Sequence, residues 1–395
     1  MKIALAPDLH CFYTTYDKLD ENGLSLRKKE WMNATASFFK TCKKEHVDTV
    51  VVPGDFFVTP KPSAEAVLLV SQFFNALEQH GMTVIGIAGN HDIAGANKKS
   101  MNDVVSAIGG HPRWCASAFS TFVHGDVGFA FLPFVKAPEI LAYNPDFGQQ
   151  EMAEQLISIA GNLKTQLEDA RVKKTILVGH WSILGSSTSS GRAMNEMMSR
   201  TEIILPLESL VEQAWDAVLF GHIHKPQVLH KKKPFVAYSG CVQRINIGEA
   251  NDKRGFYIYD TETDEYKFFK TPAIEMKVFR AEINTMEDAQ ALYSAIEEAD
   301  LEGKLVQVKY DIGKEHVDWV DRKEIVRRII EKNPLNIVNV IPRILEAERQ
   351  RDITLTESLD STVALDKWLD NKGIPKQEKE SIFALFAEYQ QQLQD

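Results

Sequence analysis

Five short motifs in the chain carry side chains able to hold a metal ion: Asp8-x-His10, Gly54-Asp55, Gly89-Asn90-His91-Asp92, Gly179-His180 and Gly221-His222-x-His224. Two imidazoles one residue apart, as at His222 and His224, suit chelation better than packing, because alternate residues of an extended segment can turn toward one point. A donor set of imidazole, carboxylate and amide oxygen fits manganese, iron or zinc better than calcium or a lone magnesium. Asp55 has two carboxylate oxygens and can bridge a pair of ions. Asp8, His10 and His224 would complete one site, and Asn90, His180 and His222 the other. Ions paired in this way lie about 3.5–4 Å apart, clamp a phosphate and activate a water. His91 is left without a ligand role. It is suited to stabilise charge on phosphoryl oxygens or to protonate a leaving oxygen, with Asp92 fixing its tautomer.

Any one of these motifs alone is more often structural than catalytic. Their recurrence matters because each follows a short apolar run that reads as a buried strand: KIALAP, DTVVVPG, TVIGIAGN, KTILVGH and DAVLFGH, with VGFAFLPF as a further such run. Amphipathic patterns over residues 64–80 and 150–169 read as helices between them. The alternation predicts an α/β domain whose sheets are covered by helices. Ligands of such sheets bind at the carboxyl ends of strands, where loops converge on a rigid support. FVAYSG, RGFYIYDT and YKFFKT supply further strands, and a boundary is expected near residue 272.

The texture then changes. KVFRAEI, LVQVKYDI and NIVNVIPRI read as strands and KEIVRRIIEK as a helix, and Met286, Ala289, Leu292, Tyr293 and Ile296 share one face of another. A charged stretch, LEAERQRD, leads to a final helical pair broken over residues 371–375, whose last helix carries the stripe Ile382, Leu385, Phe386, Tyr389 and Leu393. The expected organisation is a catalytic domain over residues 1–272, a small α+β cap over 273–345, and a linker with C-terminal helices over 346–395.

With 395 residues, 44% of them hydrophobic, the chain can bury a substantial core. No stretch reaches the roughly 18–20 apolar residues that span a bilayer, and the start MKIALAPDLH lacks the long apolar region of a signal peptide. A cytoplasmic protein with no membrane role is expected. Cys11, Cys42, Cys115 and Cys241 show no metal or disulfide spacing, so reduced thiols are expected. A net charge of −10 argues against a broad basic surface and confines any nucleic-acid contact to a local patch. The run with Lys225, Lys231, Lys232 and Lys233 is one candidate, although a solvated hairpin tip explains it as well. The Gly/Ser-rich segment containing Arg192, next to His180, is a second candidate for contact with substrate, although a long connection explains it as well.

The order of the five motifs resembles the calcineurin-like metallophosphoesterase superfamily. "HVDTVVVPGDFFVTPKPS", "GMTVIGIAGNHD" and "YSGCVQRINIGEANDKRGFYIYD" are similar to the SbcD-type nuclease subunits of DNA break repair. In the last of these, Tyr238, Gly240, Arg244, Gly248, Glu249, Arg254, Gly255 and Phe256 carry the match. The resemblance implies a two-sheet β-sandwich flanked by helices and a dinuclear site assigned as above, occupied by two divalent ions, manganese foremost. It implies exonuclease action on duplex DNA ends and endonuclease action on single strands, in DNA repair and recombination. It also implies a homodimer within a heterotetramer, docked through the C-terminal helices on an SMC-like, SbcC-type ATPase, with Trp368, Leu369, Phe383 and Phe386 as anchors. Relatives often carry histidine three positions after the bridging aspartate. Here Val58 stands there, with Lys61 as a possible substitute. The rival readings are a stand-alone phosphoesterase for small nucleotides or phosphoproteins, and a non-catalytic scaffold.

Overall fold

The computed structural model describes residues 1–93, 100–108, 113–188, 202–346 and 360–392. Strands β1 (Lys2–Leu5), β2 (Thr49–Val52), β3 (Thr83–Ile87) and β4 (Arg113–Ala116) run parallel, connected by α1 (Leu26–Lys44), α2 (Ala64–Glu78) and α3 (Met101–Ile108). A second sheet takes β5 (Ser120–His124), β6 (Val127–Leu132), β7 (Lys174–His180), β10 (Ala217–Gly221), β11 (Gln227–His230) and β12 (Phe235–Tyr238), in the order β11-β12-β10-β7-β6-β5. Helices α4 (Ala137–Leu141), α5 (Gln149–Asp169) and α6 (Leu207–Glu212) lie within this stretch, and β8 (Ser182–Ile183) pairs with β9 (Ile204–Leu205). The chain then returns to the first sheet, where β13 (Gly255–Asp260) runs antiparallel to β1 and β14 (Glu265–Lys270) pairs beyond it.

Successive residues of a strand point to opposite faces, and the packing follows that alternation. Ile3, Leu5, Val51, Ile85 and Ile87 of the first sheet meet Phe129, Phe131, Ile176, Val178 and Leu219 of the second in one core. The intervening Ala4, Val50, Val52 and Val84 turn outward, against Trp31 and Phe38 of α1 and Phe73 and Phe74 of α2. On the other flank, Ala130, Leu132, Leu177, Val218 and Phe220 pack against Met152, Leu156 and Leu163 of α5 and against Trp215. This is the expected two-sheet sandwich with helices on both outer faces. Because both faces of the central strands are covered, those strands read as unbroken apolar runs. Truncating a buried phenylalanine such as Phe129 should cost about 3–5 kcal/mol.

The later elements are β15 (Met276–Ile283), α7 (Met286–Glu298), β16 (Leu305–Gly313), α8 (Arg322–Ile330) and β17 (Asn336–Leu345), with a three-stranded sheet ordered β15-β16-β17. Helices α9 (Ser361–Asn371) and α10 (Lys376–Gln392) follow. Asp360 caps α9 by accepting from the backbone N–H of Thr362 at 2.8 Å, and Lys379 of α10 pairs with Asp366 and Asp370 of α9. Among the described residues the chain falls into two compact units. One comprises Met1–Ala281, Gln290–Lys309 and Asp321–Ile341; the other comprises Glu282–Ala289, Tyr310–Val320 and Pro342–Asp395. All four cysteines are buried, and none forms a disulfide among the described residues. Among the described residues no helix is long and apolar enough to cross a membrane.

Candidate metal centre

Strand register brings the motifs together. In the second sheet Gly221 of β10 pairs with His180 of β7, so the two strand ends lie level and His222 emerges beside His180. In the first sheet Leu5 of β1 pairs with Val51 of β2, which sets the loops bearing Asp8 and Asp55 side by side. The two sheets are joined at these ends: the His180 ring donates from Nδ1 to the Pro53 carbonyl oxygen at 2.7 Å, and the His222 N–H donates to Asp8 Oδ2 at 2.9 Å. The backbone is strained where ligands are presented. His10, Asp55 and His222 have φ of 37°, 50° and 90°, left-handed values that non-glycine residues seldom adopt. Two glycines make the close approach possible. A Cβ at Gly89 would sit 2.2 Å from Asp55 Oδ1, and one at Gly221 would sit 2.4 Å from Asp8 Oδ1.

The seven expected ligands converge as two cradles sharing Asp55. Donor atoms of Asp8, His10, Asp55 and His224 all lie within 4.8 Å of one another. His10 Nε2 is 3.1 Å from His224 Nε2 and 3.4 Å from Asp55 Oδ2. In the other cradle Asn90 Oδ1 lies 3.0 Å from His180 Nε2 and 3.1 Å from His222 Nδ1, and His180 Nε2 lies 3.3 Å from Asp55 Oδ2. Among the described residues Asp8 Oδ1 is fully buried with no hydrogen-bond partner, and so is His10 Nδ1. An unsatisfied buried polar atom costs on the order of 1–3 kcal/mol, and a bound cation would satisfy the carboxylate oxygen. The donor set therefore fits a pair of divalent ions.

The electrostatics of this dry pocket are strongly coupled. Burial pushes Asp8 up to about 7, reinforced by Asp55 and opposed by His180 and His224. Burial likewise holds His10 down at about 3. Burial works against ionising Asp55 as well, but the charges of His180 and His10 outweigh it and hold that carboxyl well below its usual range. His180 is lifted to about 9, because the Asp55 carboxylate overcomes the desolvation that would lower it. A dication arriving here would displace protons from Asp8 and His180.

His91 lies beside the first cradle, its ring edge-on to His10 at 4.9 Å between centroids. Its tautomer is not fixed by Asp92. His91 Nδ1 donates instead to the Val58 carbonyl oxygen at 2.9 Å, while its backbone N–H donates to Asp55 Oδ1 at 2.9 Å. Asp92 accepts from the N–H groups of Phe56, Phe57 and Gly89 and from Asn102 Nδ2, at 2.9–3.3 Å. That carboxylate ties together the loops after β2 and β3, and burial lifts it to about 6, with Asp55 adding to the effect.

The expected substrate residues are less closely placed. Lys225 directly follows His224, Lys61 is exposed on the loop after β2, and Lys231 is exposed on the turn joining β11 and β12. Among the described residues none of the three shares a hydrogen bond or ion pair with the ligand set. Lys233 of the same basic run pairs with Asp216 at 2.6 Å. Arg192 lies outside the described residues. Of the four expected anchors, Trp368 is 48% exposed, Leu369 is buried, and Phe383 and Phe386 are half-buried. Three groups at the centre were missed by sequence reasoning in that role. Glu202 bonds His222 Nε2, Glu249 Oε1 lies 3.2 Å from His224 Nδ1, and Cys241 brings a sulfur within 4.8 Å of donor nitrogens of His10 and His224. The only available signal was for Glu249, which sits in the Gly-Glu pair of the matched segment.

Residues 1–226 match the calcineurin-like phosphoesterase family. The chain is similar to the SbcD component of nuclease SbcCD from Staphylococcus epidermidis, at 25% identity over 236 residues, covering 58% of this chain and 59% of that relative. The match thus spans less than two thirds of the relative's length. Solved structures that are similar include TT1561 of Thermus thermophilus, with a TM-score of 0.37 and 8% identity over 68% of this chain and 98% of that one. A dimetal phosphatase from Danio rerio aligns with a TM-score of 0.40 and 11% identity, over 65% and 91% of the two chains. With the family matched over more than half its length, and the ligand motifs gathered at the carboxyl ends of both sheets, the chain belongs to the calcineurin-like phosphoesterases.

Proposed function

We propose that the chain is the nuclease subunit of a DNA break-processing assembly, hydrolysing phosphodiester bonds at duplex ends and in single strands. The observation that carries this reading is the convergence of seven donor side chains into two cradles that share Asp55, beside the His91 imidazole, whose Nδ1 is bonded to a backbone carbonyl. The similarity to the SbcD component of nuclease SbcCD supports DNA as the substrate. Asp8, His10, Asp55 and His224 would hold one ion, and Asp55, Asn90, His180 and His222 the other. Two divalent ions there, manganese in this reading, would supply Lewis acidity and an activated water. His91 contributes a fixed imidazole. With Nδ1 committed to Val58, its Nε2 is the atom that gives or takes a proton at the leaving oxygen.

In the same reading residues 1–272 form the nuclease domain, 273–345 a cap, and 346–395 a linker and helices that dock on an SMC-like, SbcC-type ATPase in the cytoplasm. Two copies of the chain would stand in that complex. Lys61, Arg192, Lys225 and Lys231 are the proposed phosphate contacts, and Trp368, Phe383 and Phe386 the proposed partner contacts. Leu369 is already buried within the chain and supports its helix instead.

The test is to incubate the purified chain with end-labelled duplex DNA and manganese, alongside a small phosphodiester, using His91→Ala as control. Length-dependent loss of label that vanishes in the variant is the expected result. Turnover of the small ester with DNA left intact, even after the ATPase partner is added, would instead assign a stand-alone phosphoesterase.

A further inference from the structure

We propose that Glu202 and Glu249 are positioning residues that set opposite tautomers on the two imidazoles of His222-Ile223-His224, so that His222 offers Nδ1 to one ion and His224 offers Nε2 to the other. The inference rests on the dinuclear reading above and adds to it how one short motif serves two ions.

A neutral imidazole carries a single N–H, and an ionised carboxylate only accepts. A charged carboxylate is a stronger acceptor than a neutral amide oxygen such as Asn90 Oδ1, so the nitrogen facing the carboxylate holds the proton, which leaves the lone pair on the other. Glu202 bonds His222 at Nε2, and His222 Nδ1 is then the atom 3.1 Å from Asn90 Oδ1 in the second cradle. Glu249 Oε1 faces His224 at Nδ1, and His224 Nε2 is then the atom 3.1 Å from His10 Nε2 in the first cradle. Nδ1 lies close to the backbone and Nε2 far from it. Using one of each lets two side chains of a single segment reach ions at different depths. Outer partners of this kind fix ring orientation and raise ligand basicity.

The two carboxylates are held differently. Glu249 is fully buried and bonded by Arg254, by the Ile245 N–H at 3.0 Å and by Asn246 Nδ2 at 2.9 Å. Glu202 keeps 30% of its side chain exposed, and its ring partner is steadied by Phe134, which stacks on His222 at 6.4 Å and 27°. Removing Glu202 should therefore affect one cradle and spare the fold.

The test uses the full chain. Long-range proton–nitrogen correlation spectra of the metal-free protein should show the His222 proton on Nε2 and the His224 proton on Nδ1. Manganese titration followed by calorimetry and electron paramagnetic resonance should show two ions in the wild type. In Glu202→Ala one ion should bind about 10–100-fold more weakly while the other is unchanged. Glu202→Gln, whose amide oxygen still accepts from Nε2, should recover most of that loss. Glu249→Ala should weaken the opposite ion, with thermal unfolding recorded to verify the fold, and Glu249→Gln should recover part of that loss. The inference is overturned if both rings show the same tautomer, or if Glu202→Ala binds both ions as the wild type does. Opposite tautomers in a wild-type chain that takes up fewer than two ions would sustain the ring assignment and overturn the dinuclear reading instead.

Discussion

The two cradles are built from the same kinds of residue but closed in different ways. Asp8, His10 and His224 lie among buried groups, backed by Glu249 and Arg254, which are themselves wired to backbone. Asn90, His180 and His222 are no shallower as a set, since His180 is fully buried and His222 is as covered as His224, but the carboxylate behind His222 is partly exposed. The difference teaches that a symmetric ligand list does not imply symmetric sites. The first cradle is held by a buried network, and the second depends on register between β7 and β10 and on one accessible side chain. Ion affinity at the second should be easier to change without harming the fold.

The sharpest way to break the comparison is to remove what both halves share. Asp55→Ala should lower hydrolysis at least about a thousandfold, equivalent to about 4 kcal/mol of transition-state stabilisation, and should end paired ion uptake while circular dichroism stays unchanged. Two ions still bound with full turnover would remove Asp55 from its bridging role. His91→Ala probes the wall rather than either cradle. Its backbone contact to Asp55 survives, so manganese uptake should hold while turnover falls roughly 10²–10⁴-fold. Equal loss of ion binding and turnover would make His91 a structural residue.

Asp92→Ala should act on both halves at once, because it frees the loops that carry Asp55 and Asn90. Orphaning three buried N–H groups should lower unfolding stability by on the order of 3 kcal/mol, read as a drop in melting temperature. An unchanged melting temperature would show that those loops are held by something else. The smallest effect is expected for Val58→Ala. His91 is held there by a carbonyl oxygen that every residue possesses, so turnover should change by less than about threefold. A larger loss would mean that the valine side chain itself matters.

Much of this arrangement is legible in the sequence. The apolar runs ending in Gly-Asp, Gly-Asn and Gly-His are strands because both of their faces are buried, and period and composition carry that information directly. α1 was harder to read. Trp31, Ala34, Phe38 and Cys42 form its buried face, but the lysines and polar residues around them dilute the pattern. β8, β9 and β11 are short and were not separable from loop. The role of Asp92 was misread for a plain reason. Adjacency in sequence suggested that it served His91, whereas the backbone turn aims its carboxylate back at three N–H groups and leaves His91 to a carbonyl 33 residues away.

The sequence by itself determined the donors, their order and their location at strand ends, because residue type and hydrophobic period are local properties. It also identified His91 as the odd imidazole. Only the tertiary structure decided which donors meet and through which atoms. The pairing of Gly221 with His180, the left-handed turns at His10, Asp55 and His222, and the approach of Glu202 and Glu249 depend on contacts between residues far apart in the chain. An imidazole looks the same in sequence whichever nitrogen it presents. Its choice is made by the neighbour that folding brings to its other side.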